Sequence, residues 1–252
     1  MKFSRFLFQS DIHQGVVTDE GIKEIEGDIF DRWTYTDRTF KEGDVQLLAP
    51  LVPNQIIGIG ANFVSKIEDK PDTPPDIPVF FFKPTSSVIG PEEAIIIPID
   101  INEVKFESEL VVVIGKEAKN ITKDQVLDHI FGYTVGNDVT APQYFHEDGH
   151  WMVGKSFDTF TPLGPYVETE LDPLNVSVEA RVDQVEKQNS PLDLMIVSIQ
   201  DMVSYLSNVM TLKKGDVIMT GSPVGAGMVA EGTTVECEIK DIGTLKNTLV
   251  KA

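Results

Sequence analysis

The sequence predicts a mainly β protein with a few helices, an α+β arrangement, and three observations carry that expectation. Apolar runs of strand length, such as AIIIPI and LVVVIG, recur between Gly and Pro turns. Only two stretches combine helical spacing with a capping signal. No apolar run approaches the length that crosses a bilayer.

Taken in order, MKFSRFLFQSDI has a short apolar stretch interrupted by Arg5 and no small-residue cleavage site, so no signal peptide is expected. HQGVVTDEGIKEIEGDIF reads as two short strands around a turn at Asp19–Gly21, with a further turn at Gly27–Asp28. LLAPLVPNQ places a boundary near Pro50 to Pro53, giving a small N-terminal β domain over 1–52 and a larger one over 53–252. KIEDKPDTPPDIP, with four prolines among charged side chains, is expected to lack regular structure and to serve as a connector or a lid. ITKDQVLDHIFGY predicts a helix with Thr122 as N-cap, Gln125 completing a capping box, and Val126, Leu127 and Ile130 on one face. SIQDMVSYLSNVM predicts a second, starting at Ser198, with Met202, Tyr205, Leu206, Val209 and Met210 as its apolar stripe.

Bulk composition narrows the function classes. The 252 residues carry 40 acidic against 21 basic side chains, a net charge of -19. Phosphate backbones would be repelled, so no nucleic-acid partner is expected, and no membrane partner either. One cysteine, Cys237, excludes an intrachain disulfide and fits a reducing, cytoplasmic compartment.

Four stretches could carry chemistry. In VKFESELVVVIG, Glu107 and Glu109 head a run of buried-strand composition, and a period of two turns both to one face, about 7 Å apart. Two readings stand: a solvated strand end, or carboxylates whose repulsion a divalent cation relieves, with oxygen ligands favouring Mg²⁺, Mn²⁺ or Ca²⁺ over zinc. In GYTVGNDVTAPQ, Asp138 ends a strand-like run and is either a third ligand or a turn residue. In WMVGKSFDTFTPLGP, Lys155 is either a surface lysine or a cation stabilising an enolate or carboxylate oxygen. DVIMTGSPVGAG runs a buried strand into a glycine-rich loop that lacks the Lys-Ser/Thr of a P-loop, leaving bare amides and Thr220 to cradle a carboxylate. GIGAN is half a dinucleotide fingerprint without its third glycine or a following helix. His146 and His150 are expected to pack a loop or meet solvent.

From Gly58 to Gly227 the chain resembles the fumarylacetoacetate hydrolase family, on the collinear blocks GANF, FFFKPTSSVIGP, FESELVVVIG, GYTVGNDVT, GKSFDTFTPLGP and KKGDVIMTGSPVGAG. The resemblance implies a β-roll domain, a homodimer, and a Mg²⁺ or Mn²⁺ held by Glu107, Glu109 and Asp138. It gives Lys155 a catalytic role and Thr220 and Gly221 a substrate-binding one. It implies a divalent-metal-dependent enzyme acting on a small 2-oxo or 2-hydroxy-dienoic acid by C–C hydrolysis, decarboxylation or keto–enol isomerisation. Many relatives read G-x-N-Y-x-x-H-x-x-E, where His and Glu activate water; this chain has GANFVSKIED, so Lys66 and Asp69 become the catalytic candidates there. Pro142 and Phe145 stand where relatives carry an arginine and a glutamine against substrate, which makes Phe145 a candidate substrate-binding residue. These departures shift the expected chemistry toward decarboxylation or tautomerisation. The alternative is a catalytically impaired member that binds metal and a small carboxylate.

Overall fold

A computed structural model describes residues 1–252, and its regular structure is overwhelmingly strand. The largest sheet has 12 strands. Its path runs from Trp33–Phe40 through Gly21–Gly27, Asp11–Thr18 and Lys2–Phe8 to Thr161–Glu168, Ile130–Asn137, Ser108–Ile114, Val217–Met219, Ile56–Ile59 and Phe80–Lys83. The expected hairpin around Asp19–Gly21 is present, with Thr18 paired to Gly21. Strand Lys2–Phe8 adds antiparallel to Thr161–Glu168 through Lys2↔Glu168 and Phe3↔Val167, so the first 40 residues extend the main sheet. A five-stranded sheet and the two-stranded ribbon of Glu103–Phe106 with Gly227–Ala230 complete the β structure. No helix is long and apolar enough to cross a membrane.

Strand Ser108–Ile114 is buried along its whole length, because both of its faces are covered. Leu110, Val112 and Ile114 join the large core that includes Met202 and Leu206, while Val111 and Val113 pack with Phe3, Ile25 and Leu163. At about 25 cal/mol per Å² of apolar surface, such two-sided burial holds the strand's register firmly. It therefore fixes the residues at its head.

Both expected helices differ in detail. Lys123–His129 is 3₁₀, not α, and Ile130 already belongs to the following strand. Gln125 Oε1 does return to the Thr122 N–H at 3.0 Å, so the capping logic holds at the entry. Val126 is buried, whereas Leu127 faces solvent, because three residues per turn cannot put neighbours on one face. Ile199–Val209 is the one α-helix, and the Ser198 hydroxyl accepts from the Asp201 N–H at 3.1 Å. Its buried stripe is Ile199, Met202, Val203 and Leu206; Val209, expected in the stripe, ends the helix and is exposed. Segment 66–78 has a single 3₁₀ turn at Ile67–Asp69 and no other regular structure, as its prolines require.

Candidate metal centre and cavity

The site forms where two antiparallel strands meet. Ser108–Ile114 pairs with Ile130–Asn137 so that Glu109 stands opposite Gly136 and Ser108 opposite Asn137. Glu107 is bound at the strand head by the Asn137 side chain, whose oxygen accepts its N–H at 2.9 Å. The Asp138 N–H in turn donates to the Glu107 carbonyl at 2.9 Å. These bonds bring the carboxylates together: one oxygen each of Glu107, Glu109 and Asp138 lie within 4.8 Å of one another. Gly136 has to be glycine, since a Cβ there would sit 2.6 Å from Val111 and 3.0 Å from Met219.

Three lysines answer the three acids. Lys155 Nζ donates to Glu107 Oε2 at 2.9 Å, to the Thr140 hydroxyl at 2.9 Å and to Asp138 Oδ2. Lys83 Nζ, fully buried, donates to Asp138 Oδ1 at 2.6 Å and to the Val139 carbonyl at 3.2 Å. Lys105 Nζ, nearer solvent, reaches Glu107 Oε1 at 2.6 Å. Burial works against a charged Asp138, but Lys155 and Lys83 outweigh it and hold the carboxyl below its ordinary range. Glu109 has no such ammonium on it. Burial first, then the charges of Asp138 and Glu107, push it well above the usual carboxylate value, with only the Gly221 N–H (2.8 Å) in opposition besides the more distant Lys155. Burial disfavours the Lys155 ammonium, yet Asp138 and Glu107 overcome that and keep it protonated above the ordinary lysine value. For Lys83 burial dominates and lowers the pKa, despite the attraction of Asp138.

Above this cluster lies a cavity of ≈ 390 Å³, a volume suited to a small acid. Phe81, Phe145, Pro142 and Trp151 give it apolar walls, and Glu107, Glu109, Asp138, Lys155 and Lys105 its charged lining. Phe145 stacks on Trp151 with centroids 6.1 Å apart, and Lys155 Nζ lies 4.5 Å from the Phe81 ring centroid. A Cβ at Gly60 would lie 2.3 Å from the Trp151 ring, so glycine there is what admits the indole.

An all-oxygen set fits a hard divalent cation. Oxygens around a Mg²⁺ at about 2.1 Å lie up to about 4.2 Å apart, so the observed span matches a shared ion to within side-chain adjustment. The elevated Glu109 points the same way, because burial raises it first and the charges of Asp138 and Glu107 next, and a shared cation offsets that repulsion.

Most of the expected site residues converge here, and some are placed elsewhere. Glu107, Glu109, Asp138, Lys155 and Phe145 all line the cavity. Lys66 and Asp69 do not: both are exposed, Lys66 just before and Asp69 at the end of the 3₁₀ turn of the proline-rich segment, and Asp69 accepts from the Ser65 hydroxyl at 3.2 Å. Thr220 is buried away from the cavity with its hydroxyl on the Leu110 carbonyl at 2.9 Å, and Gly221 spends its N–H on Glu109. Both therefore brace the carboxylate cluster, while the next residue, Ser222, lines the cavity. His146 and His150 are exposed, as expected of a loop. Sequence reasoning passed over Lys83, Lys105, Thr140 and Trp151. Lys83 had a signal: it is the lone charge closing the aromatic strand FFFK.

Comparison with known proteins identifies the family and the fold. A family profile described as fumarylacetoacetate (FAA) hydrolase C-terminal matches residues 55–250, and one described as Rv2993c-like, N-terminal matches residues 1–50. An uncharacterized protein of Archaeoglobus fulgidus is 42% identical over 234 residues, covering 92% of each chain. An oxaloacetate tautomerase of Xenopus laevis is 38% identical over 220 residues, covering 82% of this chain and 69% of its own. Among solved structures, the 5-carboxymethyl-2-hydroxymuconate delta-isomerase of Mycobacterium smegmatis superposes with a TM-score of 0.92 at 36% identity, covering 100% of both chains.

Proposed function

The chain belongs to the fumarylacetoacetate hydrolase family, and from that premise we propose that it is a divalent-metal-dependent keto–enol tautomerase of a small 2-oxo acid of the oxaloacetate type. The observation that carries the reading is the convergence of Glu107, Glu109 and Asp138 within 4.8 Å, beside a protonated Lys155, in a cavity without a histidine. The relatives at 38% and 36% identity are named as a tautomerase and an isomerase, which supports relocation of a proton over addition of water.

Glu107, Glu109 and Asp138 would hold Mg²⁺ or Mn²⁺, which supplies Lewis-acid polarisation of the substrate's 2-oxo and carboxylate oxygens. The rest falls to this chain's own groups. Lys155 presents a fixed positive charge beside the same oxygens, and it is preorganised by three acceptors, so no reorientation is needed as negative charge develops on the enol oxygen. Phe81, Phe145 and Trp151 exclude water from the reacting carbon. Tautomerisation moves one proton between C3 and the 2-oxo oxygen and consumes no water, whereas hydrolysis needs a base beside an attacking water. Here the lining carboxylates are all in the ligand set, and Lys66 and Asp69 lie outside.

A second reading has its own observation. Pro142 and Phe145 give the cavity an apolar side where substrate could otherwise be gripped by polar groups, which favours a member that binds metal and carboxylate without turnover. One experiment separates the two. Enolic oxaloacetate is added to protein with Mn²⁺, and loss of its ultraviolet absorbance is followed together with deuterium uptake at C3. The tautomerase reading expects acceleration that disappears in Glu107→Ala; thermal stabilisation by Mn²⁺ plus oxalate with no acceleration would establish the binding protein.

A further inference from the structure

We infer that Lys105 forms a subsite for the distal carboxylate of a dicarboxylic substrate, an inference that rests on the 2-oxo-acid reading above and specifies its substrate class. Strand Glu103–Phe106 alternates, with Val104 and Phe106 buried in the core. Lys105 points the other way and, with Glu107 and Glu109, lines one cavity as a Lys-x-Glu-x-Glu row. Exposure climbs along the row, from 2% at Glu109 to 14% and 35% for the side chains of Glu107 and Lys105. The metal ligands thus occupy the deep end and the lysine the mouth of one cavity.

Among the three ammonium groups, Lys105 has the most donors to spare, and it is the one nearest solvent. Lys155 is engaged by three acceptors and Lys83 by two, both deep in the protein. Lys105 has a single partner, Glu107 Oε1, out of the three N–H bonds an ammonium offers. Its backbone is clamped on both sides, opposite Met228 and by reciprocal bonds with Thr140 of 2.7 and 2.9 Å, so the side chain is aimed from a rigid base. Pro142, Phe145 and Trp151, the apolar part of the lining, bring no cation of their own. Charge also balances. The three lysines cancel the three acids, a divalent ion adds two positive charges, and a dicarboxylate brings two negative ones.

The test uses two 2-hydroxy acids that differ by the distal carboxylate alone, L-malate and L-lactate, titrated calorimetrically into Mn²⁺-loaded protein. Neither has a 2-oxo group to enolise, so the affinity ratio is readable whether or not the tautomerase reading survives. The wild-type protein is expected to prefer malate roughly tenfold, the ratio that about 1.4 kcal/mol produces. Lys105→Met should bring the ratio near unity with lactate affinity unchanged, and Lys105→Arg should retain the preference. Equal wild-type affinities overturn the inference, as does a malate preference that persists in Lys105→Met. Parallel loss of both acids in that variant also overturns it, since that is the signature of a lysine that only positions Glu107.

Discussion

Replacing Glu109 by Gln should reverse the stability order of the protein according to whether metal is present. Glu109 is buried, 2% exposed, and its carboxyl is pushed well above its ordinary value by burial and by Asp138 and Glu107. A raised carboxyl pKa means that the folded state keeps a proton the unfolded chain gives up. Its stabilising share is thus complete below the unfolded value of about 4.3 and is lost as pH rises through the folded one. Gln is neutral at every pH, keeps an oxygen for the Gly221 N–H at 2.8 Å, and removes one of the repelling charges. In EDTA the variant should therefore be at least as stable as wild type, with an advantage that grows as pH rises through the folded value of Glu109. Mn²⁺ acts in the opposite sense. At a hundred times its Kd a ligand stabilises the folded state by about 2.7 kcal/mol; at about 2–4 °C per kcal/mol for a chain of this size, that is a Tm rise of roughly 5–11 °C. Wild type should show this rise, and Glu109→Gln, lacking one ligand, should show little of it. Differential scanning fluorimetry in EDTA and across an Mn²⁺ titration reads both halves. A variant that is several degrees less stable in EDTA, or that gains as much from Mn²⁺ as wild type does, would refute the shared-ion reasoning.

Two further substitutions probe the surroundings of the cluster. Lys83→Met removes one partner of a fully buried ion pair, a change that costs about 3–5 kcal/mol; Asp138 keeps Lys155, so urea unfolding should show a loss near the lower end, and a change under about 1 kcal/mol would show that Lys83 is dispensable. Gly60→Ala drives a methyl to 2.3 Å from the Trp151 ring, so the indole should swing out of the cavity wall; in a Trp33→Phe background the emission should shift to the red and KM should rise, and an unmoved spectrum would contradict the packing.

Much of the site was legible because it rests on local periodicities. The alternation of a strand placed Glu107 and Glu109 on one face before any contact was known. Ser198 and Thr122 announced where helical turns begin. The prolines of 66–78 ruled out regular structure there. What failed was also local in origin. Capping and apolar spacing do not separate a 3₁₀ turn from an α-helix, so Leu127 was placed on one face with Val126, whereas Val126 is buried and Leu127 is exposed.

The sequence by itself determined the strand-rich architecture, the faces of its strands and the acidic pair at the head of one of them, because each depends on residues only a few positions apart. Tertiary structure alone decided what stands opposite those faces. Lys83 meets Asp138 across 55 residues and Gly221 reaches Glu109 across 112, through antiparallel and parallel pairings whose register no short window encodes. It also left Lys66 and Asp69 in solvent and turned Thr220 toward the Leu110 carbonyl. The reason is physical: periodicity orients a side chain toward a face, but the charge it will meet there comes from whichever distant strand the packing of the core brings alongside.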